Sequence, residues 1–237
     1  MKGDIGEQAT CTTCAYTEAC MQISPNYWTA ALYFRHQNAS YKRVPMYYNA
    51  QLDFNTSDLD HPVTAFPPGF RMTVGNPTTT TPNATKKGGL AYTCLETILT
   101  RGFETPDFPK TPVSSGHHGH TGPCPASHAV CMPQLAYETM WNTTGFNDMW
   151  PADGSQPFVW SYDDTRGYGT HADYVFGSKA DSLQRVMNDS CMFHFCASPG
   201  VQGVLKTQTV EDMNACRVES TVYEDVEGWL DYLPGME

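Results

Sequence analysis

Apolar residues in this chain come in short aromatic and β-branched runs, separated by Gly, Pro, Asn and Thr, and long 3.6-residue periodicity is largely missing. Asn26-Tyr-Trp-Thr-Ala-Ala-Leu-Tyr-Phe34 and Tyr41-Lys-Arg-Val-Pro-Met-Tyr-Tyr48 flank the polar Arg35-His-Gln-Asn-Ala-Ser40. That pattern predicts a β-hairpin with its loop at Asn38. In Phe66-Pro-Pro-Gly-Phe-Arg-Met-Thr-Val74 the prolines remove ladder donors, so a strand starts only after Phe70. Further strands are predicted at Gly89 to Glu96, Gln134 to Trp141, Pro157 to Tyr162 and Asp173 to Phe176. Thr78 to Gly89 and Phe103 to Gly122 read as loops, the second holding His117-His-Gly-His120. Three imidazoles so close in sequence suit a metal, but a flexible loop does not preorganise them. One helix is predicted near Ala180 to Asn188, where Leu183, Val186 and Met187 share a face and Asp181 or Ser182 caps the first turn.

Composition narrows the class. Charged residues form only 16% of the 237-residue chain, too few for many exposed helices, and the whole reads as all-β: a sandwich or jelly-roll-like domain with one or two short helices and long loops. Residues 1–218 form one β domain, and 219–237 an acidic, partly disordered tail. A net charge of −11 argues against nucleic acid, whose affinity comes from Lys and Arg. No run is long enough for a membrane-spanning helix.

Nine cysteines favour disulfides over zinc, because no second Cys-x-x-Cys follows Cys11-x-x-Cys14 at finger spacing. Cys94, Cys124, Cys191, Cys196 and Cys216 join Cys11 and Cys14 as disulfide candidates. Sequons at Asn38, Asn55, Asn83, Asn142 and Asn188 point the same way, towards the secretory route. Met1-Lys-Gly-Asp-Ile-Gly-Glu-Gln has no apolar core and is not a signal peptide. The expectation is an extracellular or cell-wall protein whose precursor begins upstream of Met1.

Candidate chemistry concentrates between Trp141 and Gly177. His171 and Asp173, two apart, share one side of an extended segment and suit a metal or an oriented imidazole. His128, after Cys124-Pro, is a third candidate; its plainer role is a satisfied histidine in a turn. Trp150, Trp160 and Tyr168 with Asp153 suit a sugar-binding surface, since aromatic faces stack on pyranose rings. The alternative roles are core for the aromatics and turns for Asp153 and Asp164.

Cys11-Thr-Thr-Cys14, Asn26-Tyr-Trp-Thr-Ala30, Tyr41-Lys-Arg-Val-Pro45, Phe66-Pro-Pro-Gly-Phe-Arg-Met72, Cys124-Pro-Ala-Ser-His128, Trp150-Pro-Ala-Asp-Gly-Ser-Gln-Pro157, His171-Ala-Asp-Tyr-Val-Phe-Gly177 and Asp181-Ser-Leu-Gln-Arg185 occur in this order. Together they closely resemble the fungal secreted family DUF1996, some of whose members carry cellulose-binding or WSC modules. The resemblance implies a wall-associated protein. It also implies two departures: a family His-x-His segment near the start is missing, and Val113 to Gly122 replaces a longer segment containing Trp-Asp-Gly and Asp-His-x-Ser-His. Cys20 and Cys131 are atypical of the family pattern. The expected function is binding of cell-wall polysaccharide through the central aromatic and Asp residues. Alternatives are a metal- or carboxylate-dependent polysaccharide hydrolase using His128, His171 and Asp173, with a divalent metal as its cofactor, and a non-functional fragment of such a protein.

Overall fold

Two short strands with no exposed apolar side chain set the centre of the molecule. In a computed structural model that describes residues 16–17, 26–53, 64–82, 90–97, 100–105, 114–117, 134–177, 181, 183–185, 206–207, 209–216, 222 and 225–236, they are β3 (Leu32–Arg35) and β11 (Phe158–Trp160). They pair antiparallel, with Phe158 opposite Phe34 and Trp160 opposite Leu32. Leu-Tyr-Phe and Phe-Val-Trp are unbroken apolar runs because both faces of these strands are covered. On one face Leu32, Phe34, Phe158 and Trp160 pack with Val44, Tyr92, Trp141 and Phe146. Across the sheet, Tyr33 and Val159 pack with Leu233.

The remaining strands are β1 (Tyr16–Thr17), β2 (Asn26–Thr29), β4 (Tyr41–Arg43), β5 (Met46–Asp53), β6 (Arg71–Gly75), β7 (Leu90–Thr97), β8 (Thr100–Thr105), β9 (Ser114–His117), β10 (Gln134–Trp141), β12 (His171–Val175), β13 (Lys206–Thr207) and β14 (Trp229–Leu230). Hydrogen bonding joins them as β11-β3-β4-β14, β2-β12-β6, β8-β7-β9, β10-β5 and β1-β13, and every pairing is antiparallel. Tyr92 of β7 and Trp141 of β10 meet the inner face of β3 and β11, giving sheet-on-sheet packing. All-β, sandwich-like architecture is therefore what the chain adopts.

The expected hairpin exists, but each arm changes sheet. Only β3 and β4 form it; β2 joins β12, and β5 joins β10. Pro45 has no N–H to continue the ladder, and the last bond of that arm is Val44 N–H to Leu32 O at 2.8 Å. Two small residues, Ala30 and Ala31, form the corner on the other arm. The loop expected from Phe103 to Gly122 is partly strand, since it contains the end of β8 and all of β9. Within the acidic tail, Trp229 and Leu230 add an edge strand to β4, Leu233 is 3% exposed, and Glu227 pairs with Arg43; residues 219–221, 223–224 and 237 lie outside the described residues.

Helix is scarce among the described residues. Of the predicted helix the described residues 183–185 are helical, with Arg185 N–H bonded to Asp181 O at 3.0 Å and Leu183 buried. A 3-10 helix at Thr144–Met149 inserts Phe146 into the core, stacked on Phe34 at 4.6 Å. Helix α1 (Val210–Ala215) carries a capping box between Thr209 and Asp212. Cys216, at its end, is disulfide-bonded; of the other cysteines, Cys94 lies in β7 and the rest lie outside the described residues.

A second apolar cluster lies behind β12, where Tyr174 sits 5.5 Å from Phe66, itself stacked on Phe70 at 4.4 Å. Burial pushes the Tyr174 phenol above its ordinary 10.0, and burial, then Asp164 and Tyr92, does the same to Tyr162. Above pH 10 the unfolded chain releases phenolic protons that the folded chain retains. The stability is thus fully present below pH 10 and falls as pH rises, by about 1.4 kcal/mol per pH unit for Tyr174 and less for the partly exposed Tyr162. Denaturant midpoints at pH 9, 10 and 11 test this; a Tyr174→Phe variant should show a shallower alkaline decline, and an unchanged slope would refute the assignment.

Candidate functional site

The stretch from Trp150 to Thr170 folds as a series of side-chain-stapled turns. Asp153 Oδ1 accepts Ser155 N–H at 2.9 Å, and Gly154, at φ 73°, closes the turn through its N–H to Pro151 O at 3.0 Å. Hydrogen bonding from the Ser155 side chain, then from its backbone, holds the exposed Asp153 carboxyl below its usual 3.8, so it is anionic at neutral pH. Gln156 straps the next turn, its Oε1 accepting Phe158 N–H at 2.7 Å and its Nε2 donating to Phe158 O at 3.0 Å and to Thr165 O.

Asp164 organises the loop that follows. Its carboxylate accepts Arg166 N–H at 2.9 Å, Gly167 N–H at 3.1 Å and Gly169 N–H at 2.7 Å. A Cβ on Gly169 would sit 2.7 Å from Pro77 O and 3.1 Å from Asp164 Oδ2, so only glycine admits this approach. The loop delivers Thr170, whose hydroxyl donates to Gly167 O at 2.6 Å, receives Trp160 Nε1–H at 2.9 Å and contacts the Tyr92 hydroxyl. Asp164 is therefore a turn organiser, the role the sequence offers for it.

Trp160 is 1% exposed and stands edge-on to Trp141 at 5.5 Å, which overturns its expected place on a sugar-binding surface. The indole sits at the end of β11, packed into the core cluster on that face of the sheet, and has no face left for a ligand. Trp141, at 8% exposed, is core as well. Trp150 and Tyr168 are half-buried, Trp150 edge-on to Phe158 at 5.5 Å.

His171 and Asp173 do lie on one face of β12, as expected for alternate residues of a strand. Each is engaged separately. His171 Nδ1 lies 2.9 Å from Gly169 O, and since a carbonyl only accepts, Nδ1 carries the proton and Nε2 is the open nitrogen. Asp173 Oδ1 accepts the Thr73 hydroxyl at 2.6 Å. Among the described residues no third His, Cys, Asp or Glu joins them. A divalent ion would find two donors there, one already hydrogen-bonded, which is a poor fit to the three or more protein ligands of a typical catalytic zinc site. His128 lies outside the described residues.

A polar groove with a volume of about 640 Å³ opens at one end of the β3–β11 pair. The β3–β4 turn forms one wall with Arg35, His36, Gln37 and Ala39; Pro151, Ala152, Asp153, Ser155 and Gln156 form the other, with Thr165, over a floor of Pro157, Phe158 and Val159. Arg35 N–H bonds Pro157 O at 2.8 Å and ties the walls together. Behind His36 stands Trp229, 44% exposed, with ring centroids 5.4 Å apart. The groove thus sets Arg35 and His36 across from the Asp153 carboxylate and the Gln156 amide. Such a set donates to and accepts from hydroxyl groups along an extended polar ligand.

Asp153 is the one expected binding residue that lines this groove. Arg35, His36, Gln37 and Gln156 were missed, because nothing local to Arg35-His-Gln links it to a segment more than a hundred residues later. Trp28, 49% exposed in β2 opposite Asp173, is the other aromatic that the expected site omitted.

The model of one family, a domain of unknown function, DUF1996, matches residues 1–118 and 112–177. The chain belongs to the DUF1996 family. No curated protein and no solved structure matches it. The matched DUF1996 region includes both walls of the groove and all of β12, and ends before α1 and β14. No helix among the described residues of this DUF1996 chain is long and apolar enough to cross a membrane.

Proposed function

We propose that this DUF1996 chain is an extracellular, wall-associated protein that binds polysaccharide in the groove between the β3–β4 turn and the Trp150–Pro157 loop. One observation supports the reading above others: hydrogen-bonding side chains from two distant segments face each other across a groove tied by the Arg35–Pro157 bond. A sugar chain presents alternating donors and acceptors along its length, and this lining matches them. Among the groove's lining residues Asp153 is the single carboxylate. Glycoside hydrolysis ordinarily requires two flanking the scissile bond, so the groove favours binding over cleavage.

The test is retention of the folded chain on β-1,3-glucan, cellulose and chitin, followed by titration with soluble oligomers of whichever retains it. Asp153→Ala and Arg35→Ala are each expected to weaken binding by roughly tenfold, as loss of a hydrogen bond to a charged partner does. Because the Asp153 carboxyl lies below its usual range, binding should hold from pH 7 down to about pH 4 and fall only below that. Retention on none of the three polymers, or affinity untouched by both substitutions, would sink the proposal.

A further inference from the structure

We propose that Asn38 carries an N-linked glycan whose first sugars cap this groove, so that the chain's own saccharide competes with an external one; the competition rests on the polysaccharide reading above. Asn38 and Asn142 are the sequon asparagines within the described residues. At both the turn is already set for transfer: Ser40 Oγ–H donates to Asn38 Oδ1 at 2.7 Å, and Thr144 Oγ1–H to Asn142 Oδ1 at 2.6 Å. A donor on the amide oxygen polarises the amide and brings the sequon hydroxyl against it. The two sites differ in surroundings. Asn142 is half-buried between Trp141 and Thr143, which are 8% and 5% exposed. Asn38 is exposed at a hairpin tip, between Gln37 and Ala39 of the groove wall.

The Asn38 amide also touches the groove directly, since His36 Nδ1 is 2.9 Å from Oδ1. Its hydrogen bonds to Ser40 N–H, at 3.0 Å, and to the Ser40 hydroxyl also run through Oδ1, and so survive substitution at Nδ2. In the transfer, Nδ2 attacks the anomeric carbon of a lipid-diphosphate-linked oligosaccharide. The N–C1 bond forms, the C1–O bond breaks, the lipid diphosphate leaves with the electron pair, and the amide loses one proton. The first sugar then stands two residues from His36, whose ring contacts the same amide.

The experiment compares wild type, Ser40→Ala and Ser40→Thr, each produced as the full chain through the secretory route of a eukaryotic host. Glycopeptide mapping should find Asn38 occupied in wild type and Ser40→Thr and bare in Ser40→Ala, which keeps the Asn38–His36 contact. A bare Asn38 in folded, secreted wild type would overturn the site. If the glycan blocks the groove nine-tenths of the time, Ser40→Ala binds glucan, cellulose or chitin oligomers about tenfold more tightly. Independently of any ligand, diethyl pyrocarbonate should modify His36 about tenfold faster in Ser40→Ala than in the glycosylated forms. Equal His36 reactivity with Asn38 occupied would overturn the capping. No oligomer binding by Ser40→Ala, alongside a protected His36 in wild type, would instead count against the polysaccharide reading alone. Should Ser40→Ala fail to fold, wild type freed of its whole glycan by a peptide amidase takes its place and should show the same acceleration.

Discussion

Replacing Trp160 by Ala should lower stability by about 3–5 kcal/mol, the range for deleting a large aromatic from a packed core, and leave the groove's affinity unchanged in whatever fraction remains folded. The indole is 1% exposed, edge-on to Trp141 and stacked on Tyr162 at 6.4 Å, and it donates its N–H to Thr170. Removing it leaves a cavity, strips the contacts with Trp141 and Tyr162 and takes one hydrogen bond from the Thr170 hydroxyl, which keeps Gly167 O and Tyr92. Trp160→Phe separates the components: it retains most of the volume and loses the hydrogen bond, so its cost should be well below that of Ala. Denaturant unfolding measures the loss, and titration at a temperature where the variant is folded measures affinity. A Trp160→Phe chain with native stability and weakened saccharide binding would return the residue to the surface role first read from sequence.

Asp164→Ala should be the next most damaging change, at about 3 kcal/mol. Its carboxylate satisfies three backbone N–H groups in a loop with no ladder to take them up, and two of those bonds are part-buried. An orphaned buried donor costs about 1–3 kcal/mol. For a chain of this size that corresponds to a fall in Tm of roughly 10 °C. Asp164→Asn should cost about half as much, because one oxygen still accepts while the new NH2 confronts a backbone N–H. The loop holds Thr170 against the Trp160 indole, so the two sites are coupled. Trp160→Phe should therefore cost less in the Asp164→Ala background than in wild type, with a non-additivity of about 0.5 kcal/mol or more. Strict additivity would show that the loop does not position Thr170.

Much of the strand content was legible because it depends on short-range chemistry. Pro67 and Pro68 delay β6 to Arg71, the apolar run Leu90 to Leu95 forms β7, and His-x-Asp falls on one face of β12 since side chains alternate. Turn chemistry was equally local: Asp153-Gly and Asp164 staple their own loops through bonds to residues two to five positions on. The DUF1996 family was readable too, from eight motifs in order, and the family match bears it out. Helix α1 escaped notice because its six residues bury nothing, so no apolar stripe marks it.

What the sequence by itself determined is the class of many of the elements, the all-β architecture and the family, since these follow from side-chain alternation, proline and glycine placement, and motif order. Tertiary structure alone decided which aromatics are exposed and which are core. Trp160 and Trp229 are both tryptophans in short apolar runs at the two edges of one sheet, yet one is packed into the core cluster and the other is left partly open, 1% and 44% exposed. It also decided the groove, because Arg35 to Ala39 and Pro151 to Gln156 meet only when β3 pairs with β11. Burial and long-range pairing belong to the assembled sheets, and no periodicity in a single strand encodes its partner.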